Sequence, residues 1–126
     1  MTTIRNFLFV ALALATAFCS TGLPASAHAM LESATPAVGA TVTTAPTEIR
    51  LTFSEGVEAK FSGVQVTTAA GAAVKSGKPA LDPADKKTLV IPISDALAPG
   101  IYKVKWHVVS VDTHKTQGAF SFTVGR

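Results

Sequence analysis

The sequence predicts an all-β fold, a single antiparallel β-sandwich, and three observations carry that prediction. Apolar residues recur at every second position in short runs, which is the period of a strand with one buried face. The runs return at roughly 8–12-residue intervals, the spacing of sandwiches and barrels. No segment sustains an apolar stripe at helical spacing.

Each element can be justified in order. Glu48-Ile49-Arg50-Leu51-Thr52-Phe53 alternates strictly and puts Ile49, Leu51 and Phe53 on one face. Gly63 to Thr67 repeats the pattern through Val64 and Val66. Ala69 to Ala73 is alanine-rich, but Gly71 inside it marks a turn. Thr88 to Ile93 is an apolar, β-branched run, and Asp95 to Pro99 is expected to make one short helical turn before Pro99-Gly100 stops it. Ile101 to Val109 is the longest strand, and Gly118 to Val124 closes the chain with Phe120, Phe122 and Val124 in register. Pro36, Pro46, Pro79 and Pro83 fall between runs, where a missing N–H costs the ladder nothing.

The sandwich occupies residues 28–126. Residues 1–27 read as a secretory signal peptide: Arg5 and no acid in Met1–Asn6, an apolar run from Phe7 to Phe18, and the small-x-small site Ala25-Ser26-Ala27. That run is well short of the roughly 20 residues that span a bilayer. Cys19, preceded by Phe18 and by Thr16, does not make a lipid-attachment box. Cleavage after Ala27 leaves 99 residues, one small domain with a modest core, exported and not membrane-spanning.

Composition removes several functions. The mature part carries ten Lys and Arg against eight Asp and Glu, interspersed, with no basic run beyond Lys86-Lys87. Few aromatics interleave with them, so no nucleic-acid partner is expected. No cysteine survives the cut, which excludes disulfides and cysteine-type zinc sites. Met30 is the one remaining methionine, too few thioethers for a soft Cu(I) site. There is no Gly-x-Ser-x-Gly elbow and no phosphate-binding glycine loop.

Two features point to a metal. After cleavage His28 becomes the amino terminus, where its α-amine and imidazole can chelate one ion; the plain alternative is a histidine that merely follows the cut. The second feature is Asp112-Thr113-His114, at the end of Trp106 to Val111. In that strand Tyr102, Val104, Trp106 and Val108 share the core face, and Lys103, Lys105 and His107 share the wet one. Continued alternation would bury Asp112 without a partner, which is too costly. Either the strand ends near Ser110 in a loop, or a bulge re-aims the side chains. Both outcomes put Asp112 and His114 on one side, near a sheet end; the plain alternative is a surface Asp–His hydrogen bond in a turn. The combined amine, imidazole and carboxylate donors suit Cu(II), and zinc would accept them in a tetrahedron.

Taken together, His28-Ala29-Met30-Leu31-Glu32-Ser33-Ala34-Thr35-Pro36-Ala37-Val38-Gly39, Leu51-Thr52-Phe53-Ser54-Glu55, and Trp106 to His114 with Gly118 and Phe120-Ser121-Phe122 resemble the CopC copper-resistance proteins. The resemblance covers essentially all 99 mature residues. It implies a periplasmic Cu(II)-binding sandwich of immunoglobulin-like, Greek-key form that binds one ion per mature chain. It further implies that His28 binds through amine and imidazole, and that Asp112 and His114 complete the site. Glu55 is a second-tier candidate, since an acidic residue near that position approaches the metal in some members. The implied role is capture or carriage of copper, with a CopD-type membrane partner, and not enzymatic. Members from larger resistance systems carry a Met-rich Cu(I) site whose methionines this chain lacks. Two other readings stay open. One is a copper monooxygenase, because a terminal histidine chelate resembles the copper brace of such enzymes; a small surface and an Asp ligand count against it. The other is a metal-free immunoglobulin-like interaction module.

Overall fold

The computed structural model describes residues 28–126, so the signal peptide expected over 1–27 lies outside the described residues. Eight strands form two four-stranded sheets: β1 (Leu31–Thr35), β2 (Thr41–Val42), β3 (Glu48–Phe53), β4 (Gly63–Thr68), β5 (Ala80–Asp82), β6 (Asp85–Pro92), β7 (Gly100–Val109) and β8 (Lys115–Val124). One sheet has the order β1-β3-β6-β5 and the other β2-β8-β7-β4. The chain changes sheet after β1, β2, β3, β4 and β6, which is how one core is enclosed by both. A single 3₁₀ turn, Ala59–Phe61, is the only helical element among the described residues, and no helix there is long and apolar enough to cross a membrane.

Most of the core is the set of alternating residues that the sequence picks out, to which Ala29, Val57, Val74 and Leu97 are added from outside the strands. Ile49, Leu51 and Phe53 on β3 and Leu89 and Ile91 on β6 face Val66 on β4, Tyr102, Val104, Trp106 and Val108 on β7, and Phe120, Phe122 and Val124 on β8. Phe53 meets Trp106 edge to face with ring centroids 5.2 Å apart, and Tyr102 stacks on Phe122 at 5.5 Å. Such pairs add roughly 0.5–1.5 kcal/mol beyond the area they bury. Gly118 lies on the core face of β8 beneath Trp106. A Cβ there would stand 2.5 Å from the indole Cζ2, so only glycine lets the ring lie flat on the strand.

Three details differ from the sequence-based expectation. β1, β2 and β5 are additional strands, short and mostly half-buried or exposed. The β2–β8 pairing is parallel, Thr41 opposite Thr123, so the sandwich is not wholly antiparallel. The helical turn expected over Asp95–Pro99 is absent, because tertiary partners take the groups that would build it. The Asp95 carboxylate accepts the Lys75 amide (2.9 Å), the Tyr102 hydroxyl donates to the Ala98 carbonyl (2.6 Å), and Leu97 is pulled into the core.

Candidate metal centre

The candidate ligands gather at one end of the sandwich, where the chain's first described residues meet the β7–β8 turn. His28 itself is exposed, but the two residues after it are seated firmly. Ala29 is fully buried in the core. Its carbonyl accepts a hydrogen bond from the Thr116 hydroxyl on β8 at 2.8 Å. Met30 is locked to Ser54 in both directions: its amide donates to Ser54 Oγ (2.9 Å), and its carbonyl accepts the Ser54 amide (2.8 Å). A methyl group in the core and three hydrogen bonds therefore fix the chain one residue beyond His28.

The second half of the site is the turn joining β7 to β8. β7 stops at Val109, and Ser110 makes an isolated bridge to Val57 while remaining wholly buried. The strand thus ends in a loop, the first of the two outcomes that the alternation allowed. The Ser110 amide donates to the His114 carbonyl (2.9 Å), and the Thr113 amide donates to the Ser110 carbonyl (2.8 Å). The Ser110 hydroxyl donates to Asp112 Oδ1 and accepts the His114 amide at 3.2 Å. Closing this turn puts Thr113 at φ +72°, in the left-handed region. A β-branched residue is strained there by about 1–3 kcal/mol.

Asp112 and His114 leave this turn side by side, with His114 Nδ1 3.2 Å from Asp112 Oδ1. A carboxylate beside Nδ1 favours the tautomer with its proton there and leaves the Nε2 lone pair for a metal. The Ser110 hydroxyl, and secondarily His114, hold the Asp112 carboxyl below the usual carboxylate range against a smaller opposing effect of desolvation. An ionised carboxylate is the form that coordinates.

The two halves meet. The His28 and His114 rings lie 5.0 Å apart, edge to face at 88°. With metal–nitrogen bonds of about 2 Å, two imidazoles sharing one ion have centroids within about 6 Å of each other, so the observed separation fits. Glu55 sits between the halves: Ser54 before it holds Met30, and the Gly56 carbonyl after it accepts the Val111 amide at 3.0 Å. Glu55 Oε1 is buried without a hydrogen-bond partner, which is unusual for a carboxylate oxygen and is relieved by a cation. No three His, Cys, Asp or Glu side chains among the described residues are already closed into a metal cluster. The two rings already stand at an ion-sharing distance, and what is not yet closed on them is a third donor.

His107 takes no part. It lies on the wet face of β7 between Gly63 and Gln117, its ring where a Cβ of Gly63 would be. Three residues of the site escape sequence reasoning as functional residues: Ser54, Ser110 and Thr116. A lone hydroxyl gives no periodic signal, and its role depends on which backbone group the fold brings opposite it.

Comparison with known proteins agrees with this architecture. The family model described as the CopC domain matches residues 31–125. Protein YobA of Escherichia coli (strain K12) is 48% identical over 98 residues, covering 78% of this chain and 79% of that protein. Copper resistance protein C of Pseudomonas syringae pv. tomato is 39% identical over 105 residues, covering 79% and 82%. The crystal structure of PcoC, a methionine-rich copper resistance protein from Escherichia coli, superposes with a TM-score of 0.71 at 38% identity, covering 78% of this chain and 99% of that one. With its match spanning all eight strands and its two-sheet architecture shared with a solved relative, the chain belongs to the CopC domain family.

Proposed function

We propose that the protein is exported to the periplasm, is cleaved after Ala27, and binds one Cu(II) ion as a carrier in copper resistance or homeostasis. The observation that carries this reading is the approach of the His28 and His114 rings to 5.0 Å from opposite ends of the chain, with Asp112 beside His114. Cleavage would add the α-amine of His28 to these donors. Nitrogen and oxygen donors favour Cu(II), which heads the divalent affinity series. The sole methionine after residue 27, Met30, is exposed, in contrast to the methionine-rich relative, so Cu(I) is not the intended ion. The protein acts by binding and not by catalysis: Asp112 fills a position that oxygen chemistry needs open. The ion's onward acceptor is a CopD-type membrane partner.

A competition titration tests this with two proteins, one beginning at His28 and one with a single Gly before it. The extension turns the chelating amine into an amide, so Cu(II) affinity should fall sharply. Equal affinities would remove the amine from the site. Electron paramagnetic resonance of the loaded protein should report mixed nitrogen and oxygen donors, and metal analysis showing no copper uptake would sink the reading altogether.

A further inference from the structure

We propose that Ser110 is the positioning residue of this metal site, a buried hydroxyl that is not itself a ligand but presets Asp112 and His114 before an ion arrives. This rests on the copper-binding reading above. Residues Val111 to His114 are all exposed, so core packing does not hold the turn. Ser110 is its one buried member, at 0% exposure, directly after β7 and bridged to Val57. A hydroxyl at that depth needs hydrogen-bond partners, and every partner it has lies in the turn: the Asp112 carboxylate and the His114 backbone. Satisfying Ser110 and closing the turn are one event.

That event works against local preference. Thr113, between the two ligands, stands at φ +72°, a conformation that glycine adopts freely and a β-branched residue resists. Strain of this kind persists only where the surroundings impose it, and here the imposing contacts are those of Ser110, backbone and hydroxyl, together with the Val111 amide on the Gly56 carbonyl. They fix which way the Asp112 carboxylate and the His114 ring leave the turn. Ser110 thus acts on the ion through its two neighbours, as hydrogen-bond partners of ligands do in established metal sites.

The test uses four proteins beginning at His28: the unsubstituted chain, Ser110→Ala, Thr113→Gly, and the two combined. Ser110→Ala should weaken Cu(II) affinity about tenfold, the low end of the usual effect of removing a ligand's supporting partner. Its paramagnetic resonance spectrum should change, and in the metal-free protein its His114 amide should exchange faster. Thr113→Gly should keep the unsubstituted affinity and unfold at a higher temperature. In the double variant a glycine between the two ligands accepts the left-handed turn without being forced, so most of the lost affinity and the original spectrum should return. That recovery is a result a merely stabilising Ser110 would not give. If Ser110→Ala keeps full affinity, or the double variant binds no better than Ser110→Ala, the positioning role is refuted. If Thr113→Gly lowers the unfolding temperature, the strain argument fails even where Ser110→Ala does not fold. An unsubstituted chain that takes up no copper would instead refute the copper reading, while the exchange of the metal-free proteins still reports on Ser110.

Discussion

Thr116→Val would test whether the seat beneath His28 matters to binding. The substitution keeps the shape of the side chain and removes one donor, the hydroxyl that reaches the Ala29 carbonyl at 2.8 Å. A hydrogen bond of this kind is worth about 1 kcal/mol net, and a carbonyl left unpaired beside the core costs somewhat more. The remaining ties are the paired Met30–Ser54 bonds and the buried Ala29 methyl. With the Ala29 methyl still in the core and the Ser54 hydroxyl at 3.5 Å from the His28 carbonyl, the loosening is confined to the Ala29–Met30 peptide and His28 before it, so the penalty falls locally instead of on global unfolding. If the ion is bound only by the seated conformer, affinity drops in proportion to the seated fraction. At 1.4 kcal/mol per factor of ten, a loss of about 1–1.5 kcal/mol weakens Cu(II) binding roughly five- to tenfold. A competition titration on proteins beginning at His28 measures it, with thermal unfolding alongside, where the midpoint should move by only a few degrees. An unchanged affinity would show that His28 reaches the ion however its neighbour is held, and the clamp would lose its functional meaning.

Four further outcomes follow from the structure. His114→Ala and Asp112→Ala should each lower Cu(II) affinity by about tenfold or more, in line with loss of a ligand or its partner. His107→Ala, altering a ring that lies on Gly63 away from the site, should leave affinity unchanged in the same titration. Copper should be released as pH falls from 8 to 5, with more than one proton taken up per ion, because α-amines protonate near ~8 and imidazoles near ~6.5. Asp112 does not set that window: its carboxyl is held low, so its charge is present above the ordinary carboxylate range and is lost only as pH falls through the depressed value. A flat affinity profile across that range would rule out amine and imidazole donors together. Finally, Gly118→Ala should destabilise the fold by about 1–3 kcal/mol in urea unfolding, since the new methyl would stand 2.5 Å from Trp106 Cζ2; an unaffected midpoint would mean that the indole can shift without cost.

What the sequence made legible follows from where side chains decide the structure. β3, β4, β6, β7 and β8 could be read because each buries one face, and burial writes itself as alternation. β1, β2 and β5 could not. Leu31-Glu32-Ser33-Ala34-Thr35 is half exposed, and Thr41–Val42 owes its strand form to the backbone of β8 beside it. Asp95–Pro99 misled because Asp95 looks like the start of a helical turn, whereas the fold gives its carboxylate to Lys75. At the site, Asp112 and His114 were legible as a conflict, a charge that alternation would bury. The resolution was not, since it required knowing that Ser110 stays inside while the chain turns out after it.

The arrangement also explains why the two halves of the site are built so differently. Asp112 and His114 sit on a turn tied to the core through Ser110, so the turn can present them in one orientation. On the proposed reading His28 is carried by a chain end, and a chain end frays unless it is tied down; Ala29, Ser54 and Thr116 supply the tie. On the proposed reading the α-amine becomes a donor only after cleavage, because an amide nitrogen is a poor ligand without losing its proton. The buried Ala29 then fixes more than a strand end. It sets where His28, and with it the amine that the proposed cut would free, stands against the turn. Full copper binding would thereby await processing, since the uncleaved chain holds both imidazoles and Asp112 but lacks the α-amine.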